Sequence, residues 1–351
     1  MKRYKRWSLT VLTMSMSLLS LLVLLNYAVD PLQFYRKAWY PASFSTQQRY
    51  QNPGLAKHYD YDTIIVGTSM TENFLPGYVN EKLGGKTLKL SMSGATSKEQ
   101  YLIAKMAIET GRVKRVIWGI DYFALRGAPD RVRDEYGPFP HHFYDQNPFN
   151  DIKYLLNLDT TLDTLDALQA AAGLKPRENP SLERLNTWTH YTFSKKAVLA
   201  EWNKVRSGSA VVPDEYEWDN IRQNLNQNVI SLIQSHPEIQ FLLYYPPYSI
   251  LQHRFFYEKS PALFENELMT KRYLFEQVGD LRHVKLYDFQ QEQSITFNLD
   301  NYKDLAHHSA AINETIIDSI AADRFLVREQ NLEQHLSEQR RQVETVQADK
   351  L

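Results

Sequence analysis

The chain has 351 residues, 43% of them apolar and 23% charged, with 13 glycines, 15 prolines and no cysteine. This composition excludes a disordered or collagen-like protein, and a chain without cysteine has no disulfide scaffold, thiolate metal site or cysteine nucleophile. The 40 Lys and Arg against 41 Asp and Glu leave a net charge of −1, which argues against generic nucleic-acid binding, since that needs a basic face.

Lys2, Arg3, Lys5 and Arg6 put four positive charges into the first six residues, so the remainder carries −5. Trp7 to Val29 then runs 23 residues without a charge. As a helix rising about 1.5 Å per residue it extends about 34 Å, enough for a bilayer core. A cleaved signal peptide would have an apolar region of about 7–15 residues ending in a small-x-small site. Here the run is longer and leads into Asn26-Tyr27-Ala28-Val29-Asp30-Pro31. Residues 1–29 therefore read as an uncleaved, single-pass signal anchor. The positive-inside rule keeps the basic flank cytoplasmic and sends the chain from about residue 30 outside.

Residues 30–58, with Pro31, Pro41, Pro53 and many aromatics, read as a juxtamembrane linker. From 59 to 325 short β-branched runs alternate with helical spacing. The pattern predicts strands at Asp62–Val66, Lys86–Leu90, Val113–Ile120, Gln240–Tyr245 and Val284–Phe289, and helices at Lys98–Thr110 and Ala310–Ile320. Strands separated by helices imply an α/β domain with right-handed crossovers and a parallel sheet covered on both faces. About 123–220 interrupts this rhythm with an aromatic loop (Gly137–Phe149) and helical stretches near 151–172 and 192–206. It reads as one helical insertion forming a lid. Residues 326–351 read as a charged, solvated helix fraying into a tail.

Three segments carry candidate chemistry. In Gly67-Thr68-Ser69-Met70-Thr71-Glu72-Asn73, Ser69 stands at a strand-to-helix turn, which presents its hydroxyl at the C-terminal edge of the sheet. Its amide, near a helix start, can face a developing oxyanion. Taken alone, Ser69 followed by Glu72 reads as a capping box, since capping serines far outnumber catalytic ones, and the Gly-rich, Lys-bearing phosphate loop is missing. In Ser91-Met92-Ser93-Gly94-Ala95-Thr96, Gly94 lets backbone approach a ligand and offers a second oxyanion amide. The plain alternative is a turn capped by Ser93 or Thr96. In Asp300 to Ser309, Asp304 and His307 are three apart. Asp304 can hold one imidazole nitrogen and leave the other for Ser69; the alternative is a helix-start aspartate beside surface histidines. The His307-His308 pair raises a metal, but His141-His142 is too weak a second cluster, so neither metal nor cofactor is expected.

Together these blocks resemble the SGNH (GDSL-like) hydrolase superfamily. Gly67-Thr68-Ser69, Ser93-Gly94 and Asp304-Leu305-Ala306-His307 look like its first, second and last blocks. The resemblance covers about residues 60–125 and 238–325. It implies a three-layer sandwich with a mainly parallel five-stranded sheet (the flavodoxin-like SGNH fold), to which the insertion and the N-terminal transmembrane helix are added. It also implies Ser69 as nucleophile, His307 as base, Asp304 as orienting acid, and the Ser69 and Gly94 amides as oxyanion donors. One departure stands out: the family's Gly-x-Asn-Asp reads Gly119-Ile120-Asp121-Tyr122 here. An ionised Asp121 cannot donate to an oxyanion. Either it is protonated or turned away, or the hole uses the two amides alone. Asp121 and Tyr248, the latter in Tyr245-Pro246-Pro247-Tyr248 after the fourth strand, are candidate substrate-binding residues; packing is the alternative for Tyr248. Arg126, Arg131 and Arg133 read as contacts for an anionic polymer or as a solvated loop.

The anchored form is similar to lipoteichoic-acid D-alanylation and alginate O-acetylation proteins. That likeness implies a bacterial cell membrane, an exported glycan or polymer substrate, and a multi-span membrane-bound O-acyltransferase as partner. The expected activity is esterase or O-acyltransferase. The alternative is a non-catalytic, polymer- or partner-binding accessory protein.

Overall fold

The computed structural model describes residues 2–135, 137–175, 181–207 and 214–351. Parts of the expected insertion, at 136, 176–180 and 208–213, lie outside the described residues. In chain order the elements are α1 (Lys2–Val29), α2 (Gln48–His58), β1 (Thr63–Val66), α3 (Pro76–Leu83), β2 (Thr87–Lys89), α4 (Ser97–Glu109) and β3 (Arg115–Gly119). There follow α5 (Ile152–Leu155), α6 (Leu158–Ala171), α7 (Lys195–Ser207), α8 (Trp218–Leu225), a π-helical turn (Asn226–Ile230), α9 (Ser231–Ser235) and β4 (Gln240–Tyr245). The chain closes with α10 (Ile250–Lys259), α11 (Pro261–Val278), β5 (Val284–Asp288), α12 (Gln293–Thr296), α13 (Ala310–Ala321) and α14 (Glu329–Thr345). It divides into two compact units, one of residues 1–59 with 139–181 and one of 60–138 with 182–351.

In the smaller unit, α1 is long and apolar enough to cross a membrane. Its last turn is held by the segment that follows. Asp30, fully buried with φ +51°, accepts hydrogen bonds from the amides of Phe34 (3.0 Å), Tyr35 (2.7 Å) and Arg36 (3.1 Å) and from the Tyr154 hydroxyl (3.0 Å). Burial raises the Asp30 pKa against the opposing pull of these bonds. Residues 30–58 are thus not a free linker. Gln51, Asn52 and Leu55 of α2 are buried, and Leu32 and Phe34 pack with Phe143 and Tyr154. The single lid expected at 123–220 is likewise divided: Phe139–Ser181 groups with residues 1–59, and its flanks belong to the larger unit.

The larger unit is built on a five-stranded, all-parallel sheet of order β2-β1-β3-β4-β5. The strands read as unbroken apolar runs because both faces are covered. On one face Ile65, Ile117, Leu242, Tyr244 and Tyr287 meet Val79 of α3 and Ile312, Ile316, Ile317 and Ile320 of α13. Residues of the other parity, Ile64, Val66, Val116 and Trp118, are also buried, and the Trp118 indole donates to Gln100 of α4 at 2.7 Å. Each fully buried Ile is worth about 1.5–3 kcal/mol. Parallel register brings all five C-terminal strand ends to one edge. The ladder continues past the strands, with Leu90 N–H to Ile65 (2.9 Å), Met92 N–H to Gly67 (3.0 Å) and Ile120 N–H to Tyr244 (2.8 Å).

The expected fraying tail is instead a packed element. Leu332, Leu336, Gln339 and Val343 of α14 are buried. Gln339 shares the buried Lys271 ammonium of α11 (2.5 Å) with Asp288 of β5 (2.7 Å).

Candidate active site

Because β2, β1 and β3 are neighbours, the loops that follow them bring Gly94, Ser69 and Asp121 to one cavity of about 320 Å³, which Asp304 and His307 also line. The turn after β1 is capped by Thr68, whose hydroxyl accepts from the Met70 amide at 3.3 Å. Ser69 does not form the capping box. Its Oγ lies 2.9 Å from His307 Nε2, while Glu72 takes the Trp188 indole N–H at 2.6 Å. Thr71 braces the turn from below, donating to Ser91 Oγ at 2.6 Å.

His307 is fixed from its other side. Its Nδ1 lies 2.7 and 2.9 Å from the two oxygens of Asp304, and its amide donates to Asp304 at 2.7 Å. A carboxylate only accepts, so Nδ1 carries the hydrogen and Nε2 is left to accept from the Ser69 hydroxyl. Burial alone would raise the Asp304 pKa. The hydrogen bond and charge of His307, its amide, and the Lys303 ammonium at 2.9 Å outweigh burial and hold this carboxyl well below the usual carboxylate range. The loop is pinned from outside as well. Leu305 donates its amide to Glu201 of α7 (2.8 Å) and its carbonyl accepts from Ser249 (N–H at 3.1 Å, hydroxyl at 2.6 Å). The Trp188 ring stands edge-on to the imidazole with centroids 5.1 Å apart. The Lys303 ammonium lies 4.8 Å from that ring's centre.

Gly94 holds φ +58°, a left-handed conformation that favours glycine. A Cβ there would fall on the guanidinium of Arg133. Neither the Ser69 nor the Gly94 amide donates to a protein group among the described residues. Thr96, not Ser93, caps α4, in a reciprocal box with Glu99. The same two residues hold the arginine segment: Thr96 Oγ1 donates to the Arg131 carbonyl (2.6 Å), and Glu99 accepts the Arg133 amide (2.8 Å). From the π-helical turn, Asn228 donates to the Pro129 carbonyl at 2.7 Å. Arg133 itself is paired to Glu135, through Nε at 3.1 Å and Nη2 at 2.9 Å. Arg126 and Arg131 line the same cavity.

Asp121 reaches the cavity, but its carboxylate already accepts three hydrogen bonds. It accepts from Thr68 Oγ1 (2.5 Å), the Phe123 amide (3.1 Å) and the Tyr248 hydroxyl. Tyr248 is a correction to the sequence reading. It is completely buried, does not line the cavity, and anchors Asp121 and the Tyr122 amide (3.1 Å) instead. Sequence reasoning did not single out Trp188, Glu201 or Lys303 as site residues. Only Lys303, adjacent to Asp304, had a local signal; the other two come from the region read as lid. His308 is buried and is not among the residues lining the cavity, with its backbone paired to Tyr302. No protein-family model and no curated protein sequence matches the chain.

Proposed function

We propose that the protein is a membrane-anchored serine esterase or O-acyltransferase of the SGNH type, acting outside the cell on ester groups of an exported glycan or polymer. The observation that carries the reading is the unbroken hydrogen-bonded series Ser69–His307–Asp304 at the C-terminal edge of a parallel sheet. Ser69 and Gly94, whose amides have no protein partner among the described residues, line the same cavity. The three-layer SGNH architecture and a multi-span acyltransferase partner belong to this proposal.

In the reaction, Ser69 Oγ bonds to the ester carbonyl carbon while His307 Nε2 takes the hydroxyl proton. Asp304 keeps Nδ1–H in place and offsets the imidazolium charge. The oxyanion accepts from the Ser69 and Gly94 amides. The C–O bond to the leaving alcohol then breaks, and that alcohol takes the proton from Nε2. Water attacking the acyl-serine gives hydrolysis; a polymer hydroxyl gives transfer.

Asp121 favours a second reading, a non-catalytic accessory that binds polymer through this cleft. Its carboxylate accepts three hydrogen bonds and supplies no donor where the family places an Asn. Labelling with a serine-directed fluorophosphonate separates the two. Intact-mass analysis is expected to show one adduct on the wild type, none on Ser69→Ala, and labelling slowed roughly 10³-fold or more in His307→Ala. An unlabelled wild type, or an adduct that survives Ser69→Ala, removes the enzyme reading and leaves the accessory one.

A further inference from the structure

Helix α1 is not the whole apolar surface of its unit. Among the described residues outside α1, ten large apolar side chains are exposed. Eight belong to the smaller unit, six of them between Phe149 and Leu165, and the larger unit has two, Tyr191 and Met269. On α6, Leu158, Leu162 and Leu165 fall on one stripe at i, i+4 and i+7 and are 73%, 53% and 44% exposed. Asp159, Asp163 and Asp166 form the adjacent stripe, also exposed, whereas the buried face is only Thr160, Thr164 and Ala167. A helix in water buries its leucines; this one buries threonine and alanine and shows three of its four leucines.

The level of this stripe relative to α1 is fixed. The Asn26 side chain of α1 donates to the Leu155 carbonyl and to Thr161 Oγ1, both at 2.9 Å. Val29 and Leu25 pack with Ala167 and Leu168. Asn26 lies about 28 Å along the helix from Trp7, close to the ~30 Å thickness of a bilayer's hydrocarbon. At the same level the Trp39 indole donates to the Ala28 carbonyl (3.0 Å), and the Arg36 guanidinium covers the Tyr27 ring at 4.3 Å. Aromatic and basic side chains of this kind concentrate at the membrane–water boundary.

We propose that the apolar face of α5 and α6 is a second membrane contact, lying in the headgroup–acyl boundary of the leaflet where α1 emerges. Its occupant is lipid. The exposed flank of α6 is acidic, so apolar burial rather than attraction to anionic lipid drives the contact. The inference rests on the reading that α1 crosses the membrane, and its test reports on the two separately. The chain has no cysteine, so single cysteines at Leu19, Leu162 and Asp163 of the full-length protein accept a nitrobenzoxadiazole probe. The labelled proteins are reconstituted in phosphatidylcholine vesicles with nitroxide-bearing lipids. Quenching at Leu19 and Leu162 is expected to exceed that at Asp163 several-fold, and to stay unchanged when a third of the lipid is made anionic. If Leu19 is quenched but Leu162 matches Asp163, the second contact is overturned and the anchor stands. If Leu19 is also unquenched, both readings fall. Protection of Leu162 from aqueous iodide without lipid quenching, lost on diluting the protein in the vesicles, assigns the face to a second copy and overturns the proposal.

Discussion

Asp304 and His308, four residues apart, are driven to opposite charge states. The carboxyl of Asp304 is held ionised by His307 and Lys303 against its burial. Burial pushes the His308 pKa down to about 4, an effect the Ser309 carbonyl only partly offsets, so this ring stays neutral. An unfolded histidine titrates near 6.5. Between about pH 6.5 and 4 the unfolded chain therefore binds a proton that folded His308 refuses, and stability falls as pH is lowered through that window. Buried His335, also shifted down by burial, adds to the same slope. The contribution of Asp304 is complete above about pH 4 and is lost only below it. Urea midpoints measured from pH 7 to 4.5 are expected to fall, and His308→Asn to flatten part of that fall; an unchanged slope in the variant contradicts the assignment. Tyr248→Phe removes a hydrogen bond to a carboxylate in the interior. It should cost about 1.5–3 kcal/mol in denaturant unfolding while leaving the rate of fluorophosphonate labelling at Ser69 unchanged, whereas a role in the pocket wall would slow that labelling. At this scale the sequence shows Ser69, Asp304 and His307 through their place after strands and before a helix. It does not show that Thr68 takes over capping, because Ser and Thr both cap and the choice is made by His307, 238 residues away. Tyr248 is misread for a similar reason: an aromatic beside prolines looks the same in a pocket wall and in the core.

Among the elements, legibility follows burial on two faces. β4 is read to its ends at Gln240 and Tyr245, and β1, β3 and β5 to within one or two residues, since strands covered on both sides leave unbroken apolar runs. α14 is misread because its buried face is itself half polar. Leu332, Leu336 and Val343 alternate there with His335, Gln339 and Gln342, and the outward face is charged. What docks it is the interior ion pair of Lys271 and Asp288, which Gln339 completes. Gln339→Ala leaves the ammonium one acceptor short in a dry site and should destabilise the protein by about 1–3 kcal/mol. Equilibrium denaturation measures this, and a neutral result would show that α14 is held by its leucines alone.

At the scale of the molecule, the catalytic candidates and the sheet were legible, and the partition into units was not. Residues 30–58 pack with 139–181 across some eighty residues of α/β domain, and no local periodicity reports such a pairing. The aromatic content of both segments is its visible trace: Phe34 and Tyr50 of one meet Phe143 of the other edge to face. The strand order has a consequence for biosynthesis. β1, β2 and β3 are made first, with β2 and β3 pairing to either side of β1; β4 then adds to the open side of β3, and β5 to β4. From β3 onward the sheet therefore grows at a single border in the order of translation, with no finished strand parted to admit a later one. That border stays unpaired from about residue 119 until β4 emerges at residue 240. During that interval the nascent chain exposes a ready-made template for intermolecular strand pairing, and the rate at which residues 120–240 are delivered sets how long the hazard lasts.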